Sequence, residues 1–295
     1  MKGDRGEVLR IATTMTVVCA LAGVLLGAGF LVTHRYRESA DRRSERRAIL
    51  DLLQLDSSAT VLEVRQYLAP ERRQVVYRTA PLGEPAEREI VFGLDGRLVA
   101  AGAAPGITPA PGNSGDAPAG HVTSHDTEPS RPLVPLGRMF AASRAGSPAG
   151  FVVEGETRGY KNTIRFFVGL TSAFEIAGVR VVEHDEDPGL GAEVATPAFS
   201  GQYLGRSASD LSTLSVTRDP MPEDWRAALA TLGRTPVAAW RKRHAALIER
   251  ERVKPVYAVT GATISSRALT DGVRETVDHF RRRWELLAPQ LGGPS

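Results

Sequence analysis

Apolar and polar positions along the chain fall into four successive regimes. The first is the uncharged run IATTMTVVCALAGVLLGAGFLV from Ile11 to Val32, long enough for the ~20 apolar residues that cross a bilayer as a helix. It exceeds the apolar core of a cleaved leader and no A-x-A site follows, so it predicts an uncleaved single-pass anchor. Beyond it, Arg42, Arg43, Arg46 and Arg47 alternate with Asp41 and Glu45 and lead into AILDLLQL. That pattern predicts an amphipathic juxtamembrane helix whose arginines rest on anionic headgroups of the lipid bilayer.

The second regime has the period of strands. VVYRTA and REIVFGLDGRLVAAG follow Gln74, with Asp95-Gly96 as a hairpin turn between apolar stretches. The third, Pro105 to Pro132, is dense in Pro, Gly, Ser and Thr. It buries too little apolar area to offset its ordering entropy, which predicts a flexible insertion. The fourth returns to strands, then helices. GFVVEG, TIRFFVGL and EIAGVRVVEH predict three antiparallel strands, with TSAF turning between the last two. Pro222 to about Arg252 reads helical, and Leu269, Val273, Val277, Phe280, Trp284 and Leu287 recur at the spacing of a final core-facing helix.

These regimes predict an α+β fold: a single N-terminal transmembrane helix, then a domain with an antiparallel sheet packed by helices. The expected divisions are an anchor over 1–36, a juxtamembrane helix and strand segment over 37–104, a Pro/Gly-rich flexible insertion over 105–135, and a main domain over 136–290.

Composition removes several function classes. Apolar residues make up 42% and charged residues 24% of the 295, with a net charge of +3, and no basic run is interleaved with aromatic residues. No nucleic-acid partner is expected. Cys19 is the only cysteine and lies in the apolar run, so an internal disulfide or a cysteine-ligated cluster is excluded. The six histidines are scattered, and the acidic run Glu183, Asp185, Glu186, Asp187 lacks the ligand spacing of a calcium loop. No metal site is expected.

Two stretches carry candidate chemistry. In EHDEDPGLG, Pro188 fixes one backbone angle while Gly189 and Gly191 free others, allowing a sharp turn close to a flat ligand or another chain segment. In VTGATISSR, Thr260, Gly261 and Ala262 precede Thr263 at the first turn of the final helix. A phosphate there meets free N–H groups and the positive end of the helix dipole, and Ser265 and Ser266 offer further hydroxyl donors. Each stretch alone also reads as a strand-ending turn or a helix cap.

Taken in order, G-Y-x-x-x-I at Gly159 to Ile164, G-V-R-V-x-E-H-x-E-x-P-G-L-G ending at Gly191, and T-G-A-T-I-S-S-R-A resemble the FMN-binding domain shared by two proteins. These are the G subunit of the Rnf electron-transport complex and the C subunit of the sodium-translocating NADH:quinone oxidoreductase, with the Rnf type the nearer. The resemblance spans roughly Ala142 to Phe280. It implies one covalent FMN per chain, joined through its phosphate to the Thr263 hydroxyl by a separate flavin transferase. It also implies that Pro188, Gly189, Leu190 and Gly191, with His184 and Glu186 ahead of them, lie near the flavin. Two positions depart from the family pattern: Tyr257 stands where an Asp of the transferase recognition pattern is usual, and Asp187 where a Thr commonly precedes P-G-L-G. A carboxylate at 187 beside a flavin lowers the flavin's reduction potential.

The implied function is a membrane-anchored electron relay with no catalytic acid–base pair of its own, assembled with other membrane subunits of an Rnf-type complex. The alternatives are a flavin-free anchored scaffold subunit and a standalone FMN carrier of another respiratory chain. The implied location is the inner membrane with the large domain on the periplasmic side, whereas Arg35, Arg37 and the four arginines after them, counted alone, favour the cytoplasm.

Overall fold

The alternation of apolar and polar residues through the strand regions builds one eight-stranded antiparallel sheet in the computed structural model, which describes residues 15, 16, 19, 20, 22, 23, 43–104 and 133–291. Contacts divide the chain into two units, 1–48 and 49–295. In the first, all described residues are helical. The predicted anchor at 11–32 and the insertion at 105–132 lie largely or wholly outside the described residues. Among the described residues no helix is long and apolar enough to cross a membrane.

The strands of the second unit are β1 (Thr60–Ala69), β2 (Gln74–Pro81), β3 (Arg88–Gly93), β4 (Leu98–Ala103), β5 (Val134–Arg144), β6 (Ser147–Arg158), β7 (Thr163–Thr171) and β8 (Ile176–Glu183). Their order across the sheet is β4-β3-β2-β1-β5-β6-β7-β8. Two four-stranded meanders therefore meet along β1 and β5, where Val64 faces Met139 and Glu63 faces Phe140. The segments read separately from sequence, 37–104 and 136–290, contribute four strands each to one sheet. The turns at Asp95-Gly96 and at 171–174 fall where the sequence places them: the Gly96 N–H donates to the Gly93 carbonyl at 3.0 Å, and the Phe174 N–H to that of Thr171 at 3.0 Å.

Besides the helical stretch over 43–53, the α-helices are α1 (Pro197–Ser200), α2 (Ala208–Leu211), α3 (Glu223–Ala230), α4 (Val237–Arg243), α5 (Ala245–Glu251) and α6 (Thr263–Leu287). A two-residue parallel pair, β9 (Val216–Thr217) with β10 (Val256–Tyr257), links the turn after α2 to the approach to α6.

Both faces of the sheet are used. On one, Phe151, Val153, Ile164, Phe166, Val168 and Val179 pack against Leu269, Val273, Val277, Phe280 and Leu287 of α6. Burial of those five helix side chains, at about 1.5–3 kcal/mol each, holds α6 to the sheet far more firmly than helix propensity does. On the other face, Val61, Phe140, Ala142, Val152 and Phe167 receive Ile49, Leu50, Leu52 and Leu53. The apolar side of the predicted amphipathic segment is thus buried on protein from Ile49 onward. The rest of that face carries a cross-strand row of ion pairs: Glu63–Arg138 at 3.6 Å, Arg138–Glu154 at 2.9 Å, Glu154–Arg165 at 2.7 Å and Arg165–Glu183 at 2.8 Å.

The direction of α6 fixes where its N-terminus falls. Phe280 and Trp284 lie 5.2 and 4.5 Å from Phe151, ring centre to centre, while Gly272 lies over Thr157 near the other end of β6. The helix runs antiparallel to β6, so its first turn sits at the end of the sheet where β6 turns into β7 and β8 ends.

Candidate functional site

Three short segments meet at that end of the sheet. The first is the β6–β7 turn, closed by the Gly159 N–H donating to the Asn162 carbonyl at 2.8 Å. The second is the loop after β8, in which the Asp187 carbonyl accepts from the N–H groups of Leu190 at 3.2 Å and Ala192 at 3.1 Å. The third is the turn Val259–Ala262, closed by the Ala262 N–H on the Val259 carbonyl at 3.0 Å. Its third residue, Gly261, has φ +79°, the left-handed conformation a type II turn requires at that place.

Thr263 is the first residue of α6 and is partly exposed. The N-cap is Ala262, and no side chain caps the helix. The ladder begins with the Ser266 N–H on the Ala262 carbonyl at 3.0 Å, so the N–H groups ahead of it in the first turn have no intrahelical acceptor. An uncapped first turn with a hydroxyl at its lip fits a phosphate ester. Thr260 and Gly261 are exposed beside it, and Ala262 is buried.

Glu186 ties the three segments together. It is 95% buried, with 5% of its surface exposed, and its Oε1 accepts from the Lys161 N–H at 2.9 Å and from that of Asn162 at 3.5 Å. Its Oε2 accepts from the Ser265 hydroxyl. Burial alone would raise its pKa, but hydrogen bonds from Ser265 and from the backbone of Lys161, Asn162 and Tyr160 outweigh it and hold the carboxyl below the usual glutamate value. Gly159 and Gly191 make room for it. A Cβ on Gly191 would lie 2.5 Å from Oε2 and 3.0 Å from Ser265 Oγ, and one on Gly159 would overlap Oε1.

The predicted site residues therefore converge, some of them in other roles than expected. Leu190 lies over the Gly261 turn, its Cδ2 3.0 Å from where a Cβ of that glycine would be. Pro188, Gly189 and Leu190 are exposed, and Gly191 is buried. Ser265 and Ser266, expected as donors to a phosphate, are buried and engaged within the protein: Ser265 donates to Glu186, while Ser266 donates to the Ala262 carbonyl at 2.9 Å and accepts from the Val259 N–H at 3.0 Å. His184 is half-buried, and its Nδ1 has no hydrogen-bond partner among the described residues.

Asp187 pairs with Lys161 Nζ at 2.9 Å, which offsets the carboxylate charge expected near a flavin. The Asp187 contact acts first among the causes that raise the Lys161 pKa. Sequence alone does not single out Lys161 and Asn162, since no local signal marks a turn that closes on a carboxylate 25 residues downstream. Large apolar side chains stand exposed around the convergence: Tyr160 at 66%, Leu190 at 47% and Ile264 at 58%. Tyr257, six residues before Thr263, turns inward. Its hydroxyl donates to Glu251 Oε2 at 3.0 Å, and burial together with that carboxylate pushes its pKa up to about 12.

Comparison with known proteins finds similarity over the same part of the chain. Residues 159–278 match the FMN-binding domain family. The G subunit of the proton-translocating ferredoxin:NAD(+) oxidoreductase complex of Clostridium ljungdahlii is 28% identical over 139 residues, 47% of this chain and 57% of that protein. The G subunit of the ion-translocating oxidoreductase complex of Pseudoalteromonas atlantica is 40% identical over 150 residues, 50% of this chain and 56% of that protein. The crystal structure of Shewanella oneidensis NqrC aligns over 81% of this chain and 91% of that one, with a TM-score of 0.42 and 16% identity. The chain spans about half the length of the first two curated relatives it matches. The matched segment begins in the β6–β7 turn and runs through the Gly261 turn into α6, so that stretch of the chain is similar to the FMN-binding domain family.

Proposed function

We propose that this protein is a membrane-anchored flavoprotein subunit that relays electrons through one FMN bound covalently to Thr263, as part of an ion-translocating complex of the Rnf type. The observation that carries the reading is the uncapped first turn of α6, with the Thr263 hydroxyl at its lip and the Pro188–Gly191 loop lying against the turn before it. The FMN-binding domain match and the relatives from ion-translocating complexes support it.

In this reading the first-turn N–H groups and the helix dipole hold the phosphate, while Tyr160, Leu190 and Ile264 offer apolar surface to a flat ring. FMN when bound supplies one- and two-electron redox chemistry. The chain supplies position: a rigid helix start, a fixed loop, and a lysine that neutralises Asp187. Tyr160, Leu190 and Ile264 are exposed, so a ring held against them would be open to partner subunits. A flavin transferase attaches the group, and the domain faces the periplasm from an inner-membrane anchor.

The test is expression of the full chain with a flavin transferase, followed by denaturing electrophoresis of membranes under ultraviolet light. A fluorescent band is expected in the membrane fraction, lost in Thr263→Val and degraded by protease added to spheroplasts. A dark wild-type band overturns covalent attachment, and a protease-resistant one overturns the periplasmic placement.

A further inference from the structure

We propose that Glu186 is a positioning residue: it holds the β6–β7 turn, the Pro188–Gly191 loop and the first turn of α6 in one arrangement around Thr263, and does not itself touch the flavin. This inference rests on the reading of Thr263 as the attachment point.

The carboxylate is buried, and the donors that saturate it are uncharged. They are the backbone N–H groups of Tyr160, Lys161 and Asn162 on one side and the Ser265 hydroxyl on the other. A buried carboxylate is costly to desolvate unless donors saturate it, and here they come from segments about a hundred residues apart in sequence. Neither oxygen is left facing solvent or a ligand, since Gly159 packs on Oε1 and Gly191 on Oε2. Ser265 lies two residues after Thr263 on the same helical turn. Its hydroxyl therefore fixes the height and rotation of that turn against the loop carrying Leu190. Glutamate suits this task because two oxygens on one rigid group accept from both sides at once. Gln at the same place keeps one acceptor and turns the other into an N–H₂ donor facing Ser265 or the turn.

The test follows the rate of flavin attachment to purified full-length chain by a flavin transferase with FAD, as the acceptor concentration is varied. In Glu186→Gln and in Ser265→Ala the limiting rate is expected to fall at least tenfold with the half-saturating acceptor concentration within twofold of wild type. The double variant should be no slower than the slower single, because both changes cut the same link. Ser265→Thr, which keeps the hydroxyl, should recover most of the rate. A second readout needs no flavin: in Ser265→Ala the Lys161 and Asn162 amides should exchange hydrogen faster, although they lie on a different segment from the substitution. Wild-type attachment rates in both single variants, or a loss no larger than the loss of folded protein seen by circular dichroism, overturn the proposal. So does unchanged exchange at Lys161 and Asn162. Failure of the wild-type chain to take flavin at Thr263 instead overturns the reading on which the inference rests.

Discussion

At the scale of the residue, Glu186 shows how a charge is kept inside a protein by hydrogen bonds from uncharged donors. Its folded pKa is lowered, so the unfolded chain binds the proton more tightly and stability rises with pH across the titration. The contribution is complete above the ordinary glutamate value of 4.5 and is lost as pH falls below it through the lowered folded value. Urea unfolding at pH 6 and at about pH 3.5 should therefore show a larger loss of stability for wild type than for Glu186→Gln. Equal losses would mean that the carboxylate contributes nothing as an anion. Legibility from sequence is uneven at this scale, for a physical reason. Thr263, Gly261 and the Pro188–Gly191 loop are marked in the sequence because helix starts and sharp turns restrict residue type locally. The Lys161–Asp187 pair and the inward-facing roles of Ser265 and Ser266 depend on contacts between distant segments, and nothing at those positions alone distinguishes a buried hydroxyl from one aimed at a ligand.

At the scale of the element, the approach to α6 depends on a buried arginine. Arg206 is 2% exposed, and its guanidinium donates to the backbone carbonyls of Gln202 at 2.9 Å, Arg252 at 2.6 Å, Lys254 at 2.8 Å and Glu251 at 3.3 Å. It thereby satisfies the C-terminal end of α5 and holds the strand β10 that leads into the Gly261 turn. Burial is the main cause that lowers its pKa, to about 10. Arg206→Met keeps most of the stem but leaves those carbonyls without a donor, and should lower the unfolding free energy by about 2–4 kcal/mol. Arg206→Lys should recover only part, because an ammonium cannot reproduce the planar fork. Denaturant midpoints read both. Helices α3 to α6 and the β6–β8 strands follow from their periodicity, whereas α1 and α2, four residues each, are too short to show one. Strands β1 and β5 do not, because TVLEVRQYLA and VPLGRMFAASR place charged residues on a face that is half core and half ion pairs, which breaks the apolar alternation.

At the scale of the molecule, the sheet order sets what the connection over 105–132 has to accomplish. Ala103 at the end of β4 aligns through Arg88 and Thr79 with Val64 of β1, whereas Val134 at the start of β5 aligns with Leu68. Four strand spacings across the sheet and four residues along it separate the two ends by ~23 Å. Ten extended residues reach ~33 Å. Replacing 105–132 with a ten-residue Gly/Ser linker should thus leave the thermal midpoint and flavin attachment near wild type, while joining Ala104 directly to Leu133, which reaches only ~10 Å between Ala103 and Val134, should not fold. An unfolded ten-residue variant would show that the segment contributes more than reach.

The seam between β1 and β5 also has a consequence for the chain as it is synthesised. Translation completes β1 at Ala69 but reaches β5 only after Val134, at ~5–20 residues per second an interval of ~3–13 s. During that time the edge of β1 destined for β5 offers unpaired N–H and C=O groups to any neighbouring nascent chain. Glu63 and Arg65, which in the finished fold belong to the polar row on the sheet, put charge along that waiting edge and guard the first meander against its own copies until its second half arrives.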